Sequence, residues 1–247
     1  MSTPHRVGRV DGARSRLEVT LYEVSVAADV LRVPESTLRW WLEGGERRGR
    51  WYPPVLRPEP TGSSSVTWGE LVEAGYLAGY RKGLRVKLWR LREFITFLRE
   101  KLGVPYPLAV ARPWVGPGRR LLLEAGERVE LDPDLRPGLI EPATGQAVLT
   151  GIAERFLARV EFEPPDSPEA EVARIHPVGF TSPVVIDPEI RFGVPSVGGI
   201  PTEVLAEKVD AGEPIEAIAS AYDLPLNSVI AALDYEATDW PLLLNAA

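Results

Sequence analysis

The sequence predicts an α+β protein in which a small antiparallel sheet lies between two helical units. Three observations lead there. Helical periodicity occupies both ends of the chain; the middle changes to short apolar or alternating runs broken by Pro and Gly; and 247 residues exceed the usual size of one domain. The expected division is a mobile basic arm over 1–17, a helical head over 18–107, a β-rich central region over 108–183, a compact helical unit over 184–237 and an apolar tail over 238–247.

The arm is short of large apolar residues and carries Arg6, Arg9, Arg14 and Arg16. From Tyr22 the pattern turns helical, with Val26, Val30 and Leu31 on one face, Asp29 and Arg32 on another, and Ser25 as the expected N-cap. Pro34 interrupts, and Glu35 to Leu42 restart a helix with Leu38, Trp41 and Leu42 on its apolar stripe until Gly44 and Gly45 end it. Two short helices joined by Arg32-Val33-Pro34 have the spacing of a helix-turn-helix. Residues 46–66 read as a hairpin or loop, which would make the head a winged helix-turn-helix. Thr67 or Gly69 opens the next helical stretch. Leu88, Leu91, Phe94, Ile95, Leu98 and Leu102 trace an amphipathic helix ending before Gly103, which either closes the head's core or pairs with a second copy in a homodimer.

In the central region Arg120–Leu123, Val129–Leu131, Ala147–Leu149, Ala158–Phe162 and Glu169–Ile175 read as strands, with Pro164 to Pro168 as a surface loop. Beyond Val184 three helices return, marked by Leu205 and Val209, by Ile215, Ile218, Ala219 and Tyr222, and by Val229, Ile230 and Leu233. Ala211-Gly212-Glu213-Pro214 and Asp223-Leu224-Pro225 are their turns, so this unit too is helix-turn-helix-like.

Composition excludes much chemistry. The chain has no cysteine, so thiolate catalysis, disulfides and cysteine zinc sites are ruled out, and His5 and His176 are its only imidazoles. No cofactor or metal is expected, and no enzymatic activity. Glu161, Glu163 and Asp166 form a carboxylate group, but they lie among prolines with no nucleophile or phosphate-cradling loop beside them. No apolar run reaches the roughly 18 residues that a membrane span needs, so a cytoplasmic protein without membrane contact is expected. The net charge of −7 conceals a division: residues 1–120 hold 21 Lys and Arg against 12 Asp and Glu, whereas residues 121–247 hold 7 against 23. A basic half favours phosphate, and an acidic half favours a basic protein partner.

The segment Tyr22 to Trp41 resembles the DNA-binding head of MerR-like regulators, with an Ala-rich support helix followed by Ser36-Thr37-Leu38-Arg39-Trp40-Trp41 as recognition helix. That resemblance implies DNA contacts from Ser36, Thr37 and Arg39, with Arg47, Arg48 and Arg50 beside Trp51 as a basic wing; Trp41 is expected in the core. The segment from Val185-Ile186-Asp187-Pro188-Glu189-Ile190-Arg191-Phe192-Gly193-Val194-Pro195, through Gly199 and Ala211-Gly212-Glu213, to Ala232-Leu233-Asp234-Tyr235 is similar to VapB-like antitoxin domains. Those domains commonly place an Arg where this chain has Pro201, which removes a phosphate contact from the second unit.

Together the resemblances imply a VapB-type antitoxin that neutralises a small PIN-like ribonuclease toxin and represses its own operon by binding double-stranded operator DNA. The toxin-binding candidates are Tyr235 and the tail residues Trp240, Leu242 and Leu243. The alternative is a ligand-responsive MerR-like regulator with no toxin partner. The sheet-like middle is expected to hold the two helical units apart.

Overall fold

Strand β1 (Thr20–Glu23) runs directly into helix α1 (Val24–Leu31), and its antiparallel partner β4 (Ser65–Thr67) runs directly into helix α3 (Trp68–Leu84). The computed structural model describes residues 15–84, 86–131, 136–140, 146–149 and 151–238, and its architecture is α+β. Between these two entries lie helix α2 (Glu35–Glu43) and the hairpin of β2 (Gly45–Arg47) and β3 (Arg50–Tyr52). The β1–β4 ladder was not legible in the sequence, and it moves the start of α1. The N-cap is Glu23 rather than Ser25, because Val24 already donates its amide to the Ser64 carbonyl at 2.8 Å. The start of α3 is fixed by a reciprocal cap in which the Glu70 amide donates to Thr67 Oγ1 and the Thr67 amide donates to Glu70 Oε2.

Helix α3 is buried along Leu71, Val72, Ala74, Tyr76, Leu77 and Ala78, so it is a core helix with little solvent face. Helix α4 (Leu88–Leu102) ends at Gly103, as its sequence requires, and buries Leu91, Phe94, Ile95, Phe97, Leu98 and Leu102 within its own chain. Its apolar stripe therefore closes the head's core and is not free to pair with a second copy.

The central region differs from the expectation of a sheet. Arg120–Leu123 and Val129–Leu131, read as strands, belong to helix α5 (Arg119–Arg128) and the turn after it. A run of three leucines does not alternate, and Leu122, Ala125 and Gly126 fall at helical spacing on the buried side. Among the described residues the remaining elements are β5 (Gly138–Ile140), β6 (Ala147–Leu149), the unforeseen helix α6 (Gly151–Leu157), β7 (Val160–Glu163) and β8 (Glu171–Ile175). They form two separate two-stranded ladders, β5–β6 and β7–β8, rather than one sheet.

Nor is the central region a separate body. One apolar cluster runs from Leu17 through the head to Val172, Ile175 and Ile186. Trp68 at the start of α3 donates its indole N–H to the Val172 carbonyl of β8 at 2.7 Å, and Tyr76, Trp114 and Phe156 pack ring on ring at 4.8–5.5 Å. Each such buried side chain contributes about 1.5–3 kcal/mol or more through burial alone. A fragment ending at residue 107 would expose much of this cluster.

The chain leaves this core through one extended step. Ile186 exchanges both backbone hydrogen bonds with Ile175, and Val185 does so with Ser196, which opens β9 (Ser196–Val197). Then come β10 (Ile200–Pro201) and helices α7 (Thr202–Asp210), α8 (Ile215–Ala221) and α9 (Leu226–Glu236), with turns where the sequence placed them. Prolines 201, 214 and 225 sit at the N-caps. A second apolar cluster of Val184, Val197, Leu205, Ile218, Val229, Ala232 and Tyr235 belongs to this unit alone. None of the described helices is long and apolar enough to cross a membrane.

One buried carboxyl sets a pH dependence. Glu73 of α3 is fully buried; its Oε1 accepts from the Leu108 amide at 3.1 Å, while Oε2 has no hydrogen-bond partner among the described residues and lies 3.8 Å from Arg99. Burial pushes this carboxyl from 4.5 up to about 8, against the pull of Arg99 and the Leu108 amide. The folded state therefore holds a proton that the unfolded chain releases between those values, so this group's contribution falls as pH rises through that window. Glu73→Gln is expected to gain on the native chain by about 1.4 kcal/mol per pH unit across the window. Denaturant titrations at a series of pH values check this, and a constant difference between the two proteins would contradict it.

Candidate functional site

Helix α1 turns Ala27, Ala28, Val30 and Leu31 inward and ends at Arg32, whose left-handed backbone (φ 53°) starts the turn to Pro34 and α2. Helix α2 buries Leu38, Trp41 and Leu42, which leaves Ser36 and Arg39 exposed and Thr37 half-buried on the outer face. Trp41 is thus in the core, as expected, while Trp40 stacks against Tyr52 of the hairpin at 5.8 Å. Gly44 makes that approach possible: its φ is +65°, and a Cβ there would lie 2.2 Å from the Tyr52 carbonyl oxygen.

Arg47 pairs with Arg50 across the hairpin, and Arg48 (φ 54°) and Gly49 (φ 71°) form a two-residue loop with both residues left-handed. That geometry matches the strand twist and turns Arg47, Arg48 and Arg50 to solvent beside Trp51, which is 55% exposed. Among the described residues these three arginines make no ion pair. Arg39 reaches Glu35 one turn back at 2.6 Å, an exposed pair that a competing anion can break at a cost of about 0–1 kcal/mol. Ser36, Thr37, Trp40, Trp41 and Arg47 meet Leu88 of α4 around one open groove of about 360 Å³. The structure thus brings the six candidate residues onto one helix face and the adjoining hairpin.

A residue that the sequence reading passed over holds this arrangement. Arg57, in the loop after the hairpin, is buried and donates to Glu70 Oε1 at 2.6 Å, to Glu43 at the end of α2, to Thr61 Oγ1, and to the carbonyls of Ser63 and Ser65. Burial raises the Glu43 carboxyl, but the amides of Gly62 and Thr61, the Thr61 hydroxyl and Arg57 together hold it below its ordinary value. Its sequence signal was weak: a lone arginine in a Pro- and Ser-rich loop.

The carboxy-terminal unit is seated against the head, contrary to the expected separation. Tyr22 of β1 donates its buried hydroxyl to the Gly193 carbonyl at 2.8 Å, and burial, with the Asp187 charge, raises the phenol well above its usual range. Arg32 donates to the Tyr235 carbonyl at 3.0 Å, pairs with Glu236 at 3.5 Å, and lies 4.8 Å over the Tyr235 ring. Burial pushes that phenol up to about 12. Tyr235, expected at a partner surface, is 7% exposed and is used inside the chain. Trp240, Leu242 and Leu243 lie outside the described residues.

Between α1 and α7 an open cavity of about 650 Å³ remains, with Val26, Val30, Val33, Pro195, Pro201 and Val204 among its lining. Pro201, in place of the Arg common in similar domains, is part of this wall. Elsewhere, Arg16 bonds Glu163 and Glu189, and Arg174 bonds Glu161, Glu163 and Asp187. The carboxylates Glu161 and Glu163 are therefore ion-pair partners, and among the described residues no three acidic or histidine side chains are placed to hold a metal.

Comparison with known proteins gives consistent likenesses. The family described as "Protein of unknown function (DUF433)" matches residues 184–235, the span of the second core. The protein named "Uncharacterized protein Rv2308" of Mycobacterium tuberculosis is 35% identical over 224 residues, covering 90% of this chain and 92% of that one. From the same organism, the protein named "Putative antitoxin VapB45" is 31% identical over 232 residues, covering 89% and 95%. The crystal structure of Rv2018, again from M. tuberculosis, superposes with a TM-score of 0.66 at 26% identity, over 89% of this chain and all of that one.

The seating of the second unit depends on Gly193, whose φ is +72° and whose added Cβ would stand 2.0 Å from the Tyr22 hydroxyl. Gly193→Ala is expected to cost about 1–3 kcal/mol, the size of a left-handed alanine together with a lost buried hydrogen bond. Hydrogen exchange should rise across 184–238 while α3 stays protected. Unchanged exchange in that unit would show that the contact does not hold it.

Proposed function

The chain belongs to the family that contains these two mycobacterial proteins, and on that premise we propose that it is an antitoxin, not an enzyme. It neutralises a PIN-like ribonuclease toxin by direct binding and represses its own operon through double-stranded operator DNA. The carrying observation is a pair of oppositely charged regions: an exposed helix face and hairpin with Arg39, Arg47, Arg48 and Arg50, and an acidic unit of ten Asp and Glu against two Arg and Lys over residues 184–238.

On this reading α1, α2 and the hairpin are a winged helix-turn-helix of MerR-like type. Helix α2 enters the major groove with Ser36, Thr37 and Arg39, and the hairpin arginines follow the sugar-phosphate backbone. Arginine suits both tasks, since its planar fork grips a guanine edge or a phosphate with two hydrogen bonds. The acidic unit is repelled by DNA and speeds encounter with a basic nuclease. The tail residues Trp240, Leu242 and Leu243 supply apolar anchors to the toxin.

Operator binding is tested with the whole chain, because head and central region share one core. Titration of its own promoter fragment should give a log–log salt slope that becomes shallower by about 0.9 for each phosphate contact removed in Arg47→Ala, Arg48→Ala and Arg50→Ala. Arg39→Ala should cost about 1–3 kcal/mol at one base position and relax sequence preference there. Equal affinity for operator and random DNA would overturn the operator reading.

The toxin arm is tested by co-purification with the product of the adjacent reading frame. Truncation after Thr238 removes Trp240, Leu242 and Leu243, and should cost a few kcal/mol of complex stability, as loss of a central aromatic anchor does, with operator binding retained. Full toxin affinity in the truncated chain would remove the tail from the interface.

A further inference from the structure

Helices α8 and α9, joined by Tyr222-Asp223-Leu224-Pro225, repeat the helix-turn-helix arrangement, with α9 in the place of a recognition helix. Its chemistry does not fit that task. The eleven residues Leu226–Glu236 include no Arg or Lys and carry Asp234 and Glu236. The unit's two cations are both engaged: Lys208 pairs with Glu213 at 2.8 Å, and Arg191 donates to the Gly199 carbonyl at 3.1 Å. Glu236 is paired with Arg32 of the head, and a phosphate approaching the rest of α9 meets Asp234 with no Arg or Lys on the helix to offset it.

What α9 offers outward is apolar. Val229, Ala232 and Tyr235 face its core, whereas Leu226 and Ile230, one turn apart, are each 41% exposed. At about 100° per residue, Leu226 points opposite to Tyr235, so the stripe faces away from the junction with the head. Helix α8 packs against α9 and carries the exposed residues Glu216, Ala217, Ser220 and Ala221, while Asp223, three residues before Leu226, and Asp234, four residues after Ile230, are also exposed.

We propose that this face, centred on Leu226 and Ile230 with its acidic rim, docks a basic, apolar-studded surface of the toxin. The proposal rests on the antitoxin reading and locates the partner on α9, separately from the tail. Charge complementarity selects the occupant: the acidic rim rejects DNA and acidic proteins, and a second copy would bring the same carboxylates face to face.

The test uses the full chain and the purified product of the adjacent reading frame. Leu226→Ser with Ile230→Ser should weaken the complex on the order of 100-fold, as loss of a buried anchor pair does, with helicity and operator affinity unchanged. Glu216→Lys with Asp234→Lys should weaken it and flatten its dependence on ionic strength. If the intact chain does not bind that product, the antitoxin reading fails and this proposal with it. If the intact chain binds and the double serine variant binds equally well, the reading stands and the face is wrongly assigned. A serine variant that alters only the sedimentation mass of the free chain would make the face a self-interface and overturn the proposal.

Discussion

The buried guanidinium of Arg57 is the interaction on which the order of the molecule rests. It joins the end of α2, through Glu43, to the start of α3, through Glu70, and takes up the Ser63 and Ser65 carbonyls at the entry to β4. Removing one partner of such a cluster leaves buried charges uncompensated, a loss of about 3–5 kcal/mol. Glu70 also caps α3 reciprocally with Thr67, so the same carboxylate sets where that helix begins. The next residue after Thr67 is Trp68, whose indole reaches β8. From β8 the Ile175–Ile186 bonds carry the chain to the carboxy-terminal unit. Each step positions the next, and the first is a charged group in a loop.

What the sequence revealed, and what it concealed, follows from the range of the interactions. The spacing of α1 and α2, the hairpin after Gly44 and the turns between α7, α8 and α9 were legible because neighbouring residues decide them. Helix α5 was misread because three leucines in a row satisfy a buried strand and a buried helix equally, and only the packing of Leu122 and Ala125 separates them. The α4 stripe declared that one face is buried, but periodicity does not name the surface that buries it. Tyr22 and Gly193 lie 171 positions apart, and no local pattern marks either as the other's partner. Of the candidate site, the α2 and hairpin residues fell together because one short segment supplies them all. Tyr235 did not, because its role is set by Arg32, more than 200 residues earlier.

Two cations hold the acidic unit: Arg32 of the head pairs with Glu236, and Arg16, expected in a mobile arm, pairs with Glu189. Each pair is partly exposed and modest by itself. Their value is positional, because the Tyr22 hydroxyl on Gly193 and the guanidinium over the Tyr235 ring fix orientation while the ion pairs lower the repulsion among the unit's carboxylates. Cations spent here are not available to phosphate, so the charge excess of the basic half overstates what it can offer to DNA.

That division of labour places the two proposed ligands. The cavity between α1 and α7 shares no lining residue with the groove formed by Ser36, Thr37, Trp40, Trp41, Arg47 and Leu88. The α9 stripe in turn points away from the junction. The proposed DNA face and the proposed partner face therefore share no residue, so occupation of one need not occlude the other. One route for coupling between them passes through α1, which lines the cavity against the acidic unit and packs against α2. A ligand on α9 shifts the head only to the extent that it binds differently to the seated and unseated arrangements of the unit, because a ligand with no preference between two states shifts neither. Arg32, left-handed at the turn between α1 and α2 and bonded to the last turn of α9, belongs both to that turn and to the junction's hydrogen bonds. A preference transmitted along that route would be expressed through its turn.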